Sequence, residues 1–212
     1  MSSVRRLPVY LLLDTSWSME GEPIMSVQQG VQMVVDNLQS DPMALETAWL
    51  SVITFDSEAN VVCPLTEIGD FVPPTLQCNG MTHLGEGIKK LFDQINLEVK
   101  KQTSSQRGDY KPMIFIMTDG EPNDSWEQQA DRLRKSGYTV LACAAGPDAN
   151  VDPLKRMTEA VFQLSGVAPD HFRKFFKFVS SSISATSKSL STGQGPVFAP
   201  IDADDSDIVM IP

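Results

Sequence analysis

Positive charge, histidine and cysteine are all scarce in this 212-residue chain, and each shortage narrows what it can be. Lys and Arg number 17 against 27 Asp and Glu, a formal net charge of −10. Non-specific binding to nucleic acid or anionic lipid needs the opposite balance, whereas a weakly charged or basic protein, or a metal cation, suits this one. Three cysteines, Cys63, Cys78 and Cys143, form no C-x-x-C pair, which removes the usual zinc and thioredoxin patterns. Their odd number fits a reducing compartment. No segment approaches the roughly 18 apolar residues that span a bilayer. Arg5-Arg6 before an apolar run has a superficial signal-peptide look, but the run ends at Leu13, is broken by Pro8, and enters Asp14 rather than a small-residue cleavage site. The expectation is a soluble, cytoplasmic protein. Neither G-x-G-x-x-G nor G-x-x-x-x-G-K-[ST] occurs, so the standard nucleotide cradles are absent.

What is present is the composition of a globule, with 42% apolar residues and enough length for one large core. Pro8-Val-Tyr-Leu-Leu-Leu13 is a continuous apolar run, as in a strand buried on both faces. Ile24, Val27, Val31, Val34, Val35 and Leu38 follow at helical spacing, with Pro23 in the first turn. Residues 49–55 and 60–65 read as strands joined by a short connection, an antiparallel hairpin at a sheet edge. Leu84, Ile88, Leu91, Phe92, Ile95 and Val99 stripe a second helix after a Pro- and Gly-containing loop. Residues 112–117, 138–145 and 161–164 are further strands. Ser125 and Gln128 resemble a capping box for the helix that Gly137 ends. A last helix from Asp170 to about Ser187 buries Phe172, Phe175, Phe176, Val179 and Ile183.

This alternation predicts an α/β fold: a doubly wound, mostly parallel six-stranded sheet with one antiparallel edge strand and helices on both faces. Residues 1–187 form the domain. Residues 188–212 turn to Ser, Gly, Pro and Asp and read as a flexible acidic tail whose Ser and Asp content suits phosphorylation.

Three segments fall just after a core strand or at a helix start: Asp14-Thr-Ser-Trp-Ser18, Gly80-Met-Thr82 and Thr118-Asp-Gly120. Ligands of open α/β sheets bind beyond the carboxyl ends of the strands where the winding reverses, so the three can meet. Asp14, Ser16, Ser18, Thr82 and Asp119 are all hard oxygen donors. Such a set suits a hard divalent cation and excludes zinc or copper, which favour nitrogen and sulfur. Two carboxylates and three hydroxyls leave room for water, as Mg²⁺ prefers; Mn²⁺ or Ca²⁺ are possible substitutes, although Ca²⁺ recruits more carboxylates. Taken singly, Asp14 or Thr82 reads equally as a helix cap. The D-x-S-x-S, G-x-T and T-D-G segments in order carry the signal.

Those residues match the metal-ion-dependent adhesion site of von Willebrand factor A domains, and the resemblance covers roughly residues 7–187. It implies a Rossmann-like fold in which the two serines and the threonine touch the metal. The two aspartates act through water, and a partner protein's Asp or Glu completes the octahedron. The block from Arg5 to Ser18, Gly21-Glu-Pro-Ile24, Ser51-Val-Ile-Thr-Phe-Asp56, Ala142-Cys-Ala-Ala-Gly146 and Phe175-Phe-Lys-Phe-Val179 resemble the bacterial TerY-type proteins of tellurium-resistance operons. That likeness implies a cytoplasmic module of tellurite and stress resistance, working with a Ser/Thr kinase and a PP2C-type phosphatase. One departure is Trp17, where the family usually has Gly. An exposed aromatic anchor for a partner is the favoured reading, and a ring packed on its own helix the alternative.

Two other classes compete with a non-enzymatic binding module. Aspartyl-phosphate phosphatases also place Asp after a strand, yet need a second Asp two residues on, where Ser16 stands. A serine hydrolase needs a base, but only His83 and His171 exist and no G-x-S-x-G elbow is present. The third class is a passive scaffold whose ion stiffens the loops. Glu20, Glu22 and Glu121 flank the site, either as solvated loop charges or as contributors to its negative field, and Phe178 falls off the apolar stripe of the last helix.

Overall fold

The computed structural model describes residues 4–200 and 207–211. In chain order these contain β1 (Leu7–Asp14), α1 (Glu22–Gln39), α2 (Pro42–Thr47), β2 (Ala48–Phe55), β3 (Ala59–Glu67), α3 (Leu84–Glu98) and β4 (Met113–Thr118). They continue with α4 (Glu127–Arg134), β5 (Thr139–Ala144), α5 (Asp152–Met157), β6 (Val161–Leu164), α6 (Pro169–Ser191) and β7 (Ile208–Ile211). The strands form one sheet in the order β3-β2-β1-β4-β5-β6-β7. β1, β2, β4, β5 and β6 are parallel, while β3 and β7 run antiparallel at the two edges. The doubly wound parallel sheet and its edge hairpin are as the alternation of elements predicts.

β1 explains the layering. All eight of its residues are buried, and successive side chains point to opposite faces. Val9, Leu11 and Leu13 pack beneath α1 and α6, alongside Val27, Val31, Phe172, Phe175 and Phe176. Tyr10 and Leu12 face the other layer, with Leu84, Ile88 and Leu91 of α3 and Leu133 of α4. α1 and α6 approach closely because Gly30 has no side chain: a Cβ there would collide with the ring of Phe176. The short α2 was not legible as a helix. Its start is fixed by Asp41, whose Oδ1 accepts from Met43 N at 2.9 Å, and by Pro42 in the first turn.

The C-terminal part departs from the expectation of six strands and a tail beginning at residue 188. α6 continues to Ser191, and residues 195–199 fold back along it. Thr186 Oγ1 donates to Val197 O at 2.7 Å and accepts from Val197 N at 3.1 Å. Ser189 Oγ donates to Gly195 O at 2.7 Å, and Ser182 Oγ accepts from Ala199 N at 3.0 Å. β7 then adds a seventh strand, pairing Ile208 with Leu164 and Ile211 with Val161. Four residues with only Ile208 buried give too short a pattern to read as a strand. The hydroxyls that look like a solvated surface in fact hold returning backbone. Most of the acidic residues of the expected tail, Asp202, Asp204 and Asp205, lie outside the described residues.

Replacing Gly30 by valine forces Phe176 out of its place between α1 and α6. The expected loss is about 1–3 kcal/mol, the range of core overpacking, read as a lower urea midpoint at unchanged slope.

Candidate metal centre

The winding of the sheet reverses between β1 and β4, so the loops leaving their carboxyl ends diverge and open a cleft. Asp14 closes β1 on one side of it, and on the other Thr118 closes β4 and Asp119 follows it. Asp14 is 1% exposed. Its Oδ1 accepts the Ser16 backbone N–H at 2.8 Å, and its Oδ2 accepts the Thr118 hydroxyl at 2.5 Å. The first bond bends the chain off the strand; the second ties β1 to β4 at the cleft floor.

Beyond Ser16 the chain makes one 3₁₀ turn, Trp17–Met19, with Met19 buried in the core as its anchor. This turn brings Ser16 Oγ and Ser18 Oγ to 3.0 Å, and Ser18 Oγ donates to Asp119 Oδ1 at 2.7 Å. Thr82 arrives from the third segment. Trp17 N donates to Gly80 O at 3.1 Å and Asn79 N to Thr15 O at 2.8 Å, so the two loops are stitched together by backbone. Gly80 has φ +57° and sits against Ser57, a place only glycine occupies without strain. Thr82 is held by a reciprocal pair with Asn123: Thr82 N donates to Asn123 Oδ1 at 3.0 Å, and Asn123 N to Thr82 O at 2.8 Å. A Cβ on Gly120 would lie 3.3 Å from Thr82 Oγ1 and 3.8 Å from Ser18 Oγ. Glycine therefore leaves open the space that both hydroxyls border.

Asp14, Ser16, Ser18, Thr82 and Asp119 thus come to one cleft from three loops. The donors are all oxygen, and among the described residues no three His, Cys, Asp or Glu side chains converge as a metal-binding group. Burial pushes the Asp14 carboxyl up to about 6, against the lowering effect of its bonds from Thr118 and Ser16, and Asp119 adds to the rise. Burial likewise raises Asp119, opposed by the Ser18 hydroxyl. The negative field reaches Cys78, whose thiol is pushed up to about 11 by burial and then by Asp14, Glu20, Asp119 and Asp56. A fully buried carboxylate and a partly buried one beside three hydroxyls are a site with unmet demand for positive charge, of the kind a hard divalent cation would meet.

Sequence reasoning missed the supports of this site. Asp56 is buried at the end of β2, accepting from Glu58 N at 2.9 Å, while its backbone carbonyl accepts His83 N at 2.9 Å. Its position after a strand, like that of Asp14, was the available signal. Asp124 accepts from Gly85 N at 3.1 Å and Glu86 N at 3.0 Å, capping α3 from across the cleft. The capping box expected at Ser125 and Gln128 for the next helix is not formed: α4 begins at Glu127 with no side-chain cap. Nothing local marks Asn123 or Asp124, since their partners are some forty residues earlier in the chain. Trp17 is 55% exposed, as favoured from sequence. Glu20, Glu22 and Glu121 are exposed around the cleft, Glu121 accepting from Asn150 at 3.1 Å. Phe178 is buried, its ring 5.2 Å from Phe162 and 6.5 Å from Phe198, so it packs on the sheet rim and the returning segment.

The chain is similar to proteins of one family. A family model described as von Willebrand factor type A domain matches residues 9–188. An uncharacterized protein of Synechocystis sp. is 31% identical over 165 residues, covering 71% of this chain and 35% of that protein. The mouse collagen alpha-5(VI) chain is 24% identical over 156 residues, covering 70% of this chain and 6% of its own length. The chain therefore spans only a minor part of the curated relatives it matches. Among solved structures, a von Willebrand factor type A protein from Catenulispora acidiphila superimposes with TM-score 0.64 at 16% identity, over 85% of this chain and 43% of that one. Proximal thread matrix protein 1 of the mussel byssus, with a zinc-occupied MIDAS motif, gives 0.62 at 20% identity, over 84% and 48%. The two structural likenesses speak for the fold alone; the family match, which spans six of the seven strands and all three cleft loops, identifies the chain as a member of the von Willebrand factor type A domain family.

Proposed function

We propose that this chain is a non-enzymatic interaction module that holds Mg²⁺ in the cleft and uses it to grip a carboxylate of a partner protein. The observation carrying this reading is the convergence of an oxygen-only donor set around the space left open at Gly120. Ser16, Ser18 and Thr82 are the direct ligands. Both Asp14 oxygens already accept protein hydrogen bonds, which suits a carboxylate that acts through water. A hard cation so held by neutral hydroxyls retains most of its charge and supplies an electrophilic position for an external anion. Ser18 and Trp17, both exposed, stand at the mouth where that anion enters.

Finer readings belong to the same proposal. Kinship with TerY-type proteins rests on the segments from Arg5 to Ser18 and from Phe175 to Val179, and carries with it a cytoplasmic setting, tellurite resistance, and a kinase and PP2C-type phosphatase as partners. No helix among the described residues is long and apolar enough to cross a membrane. A protein of similar fold has zinc in a MIDAS motif, so zinc belongs among the ions tested despite the oxygen-only donors. A phosphatase-like enzyme or a passive scaffold is separable from this reading by experiment.

Calorimetry on the full chain with Mg²⁺, Mn²⁺ and Zn²⁺ should give saturable heat with the first two, lost in Asp14→Ala and at least tenfold weaker in Ser18→Ala, and weaker binding of Zn²⁺. Metal binding that leaves partner capture from cell extract insensitive to chelator points to the scaffold. Phosphatase turnover of a generic phosphomonoester that vanishes with Asp14→Ala points to the enzyme.

The metal-free chain carries a pH signature. A carboxyl at about 6 in the fold and 3.8 unfolded binds its proton more tightly when native. Its stabilising effect is therefore present below pH 4 and lost as pH rises through 6. A shift of this size corresponds to about 3 kcal/mol at most. Thermal melts of chelator-treated protein should fall in midpoint between pH 4.5 and 6.5, and saturating Mg²⁺ should flatten that slope; a midpoint rising with pH contradicts the assignment.

A further inference from the structure

The cleft is bordered by side chains that the metal reading does not use. Trp17 and Met81, on two cleft loops joined by a backbone hydrogen bond, are 55% and 54% exposed, and Met25 in the first turns of α1 is 57% exposed. Trp17 and Met81 stand together, since Trp17 N is bonded to Gly80 O. Around them lie the exposed carboxylates Glu20, Glu22 and Glu121.

Charge is distributed unevenly along the chain. Residues 7–88 contain eleven carboxylates and no lysine or arginine, which by itself accounts for the net charge of −10. That stretch supplies two of the three cleft loops. The third, residues 118–130, also lacks a cation, as do residues 145–154 after β5. At the opposite end of the sheet Arg5, Arg6, Lys100, Lys101, Arg107 and Lys111 gather where β1 and β4 begin, among the carboxylates Glu46, Glu67 and Asp109. A divalent cation offsets two charges and leaves its surroundings acidic. A carboxylate approaching alone therefore meets attraction from the ion and repulsion from the rim.

Resting on the metal-site reading above, we infer that the rim selects one kind of partner: a protein surface in which the metal-binding Asp or Glu is set among arginines or lysines, beside an apolar socket that takes Trp17. The flanking cations meet Glu20, Glu22 and Glu121, and the socket covers Trp17 and Met81. Charge complementarity of this kind governs encounter rate and discrimination between partners, and the buried aromatic anchor supplies residence time. Glu20, Glu22 and Trp17 are exposed and outside the ligand set, so changing them tests selection without removing the ion.

The test uses the full chain with saturating Mg²⁺ and two synthetic peptides of equal length. Each has a central glutamate beside leucines, flanked in one by arginines and in the other by glutamines. The arginine peptide should bind at least tenfold tighter at low salt, and the difference should collapse at about 0.5 M salt, where screening acts within a few ångströms. The double variant Glu20→Lys with Glu22→Lys should erase or invert the preference, and Trp17→Ala should weaken the arginine peptide about tenfold. In both variants the heat of Mg²⁺ binding should stay within a few-fold of the parent. Equal affinity for the peptides, an unmoved Trp17→Ala, or no peptide binding despite a normal Mg²⁺ heat overturns this inference while leaving the metal site intact. Absence of Mg²⁺ heat in the parent instead overturns the metal-site reading. Light scattering supplies a further arm: Mg²⁺-dependent self-association lost in Asp14→Ala makes a second copy the occupant, overturning the inference of a separate partner.

Discussion

The short contact between the Asp14 carboxylate and the Thr118 hydroxyl joins the ends of the two central strands at the point where the sheet changes winding direction. A desolvated carboxylate at a strand terminus needs hydrogen bonds, and here the Ser16 N–H and the Thr118 hydroxyl supply them. The first partner turns the chain so that two serines face the cleft, while the second fixes the distance across it. The other loops are registered against this pair. Asn79 and Gly80 bond to the Asp14 loop, and Asn123 holds Thr82 from the far side. The cleft is thus organised outward from a buried acid whose ionised form the fold alone leaves undersolvated.

Much of this was legible because the residues involved obey short-range rules. The all-buried run of β1, the helical stripe from Ile24 to Leu38 and the hairpin of β2 and β3 each state their environment in a few consecutive residues. The five cleft oxygens were legible for a related reason: each sits directly after a strand or at a helix start, where topology alone brings them to one rim. Asp56, Asn123 and Asp124 were not, because each acts on a loop that its own neighbours in sequence do not mention. β7 escaped because four residues with one buried side chain carry no period that can be recognised.

The two layers of the fold divide the work. Beneath one face, α1 and α6 pack through the bare backbone of Gly30 and the edge-to-face pair Phe175 and Phe176, whose ring centroids lie 5.6 Å apart. Beneath the other, α3 is capped by Asp124 across the cleft, so the helix that follows Thr82 is tethered to the loop that follows Asp119. Packing on one side and capping on the other leave the cleft loops little room to drift, although they contain almost no regular structure.

The way residues 195–199 return along α6 has its own consequence. Three hydroxyls, at Ser182, Thr186 and Ser189, form a track that matches the helical repeat to an extended chain lying over it. One residue inserted into or removed from the end of α6 turns everything beyond it by about 100°, carrying that part of the track out from under the returning segment. The serine-rich end of α6 is in this sense a phased element, intolerant of changes in length where its composition alone would suggest an indifferent, solvated stretch.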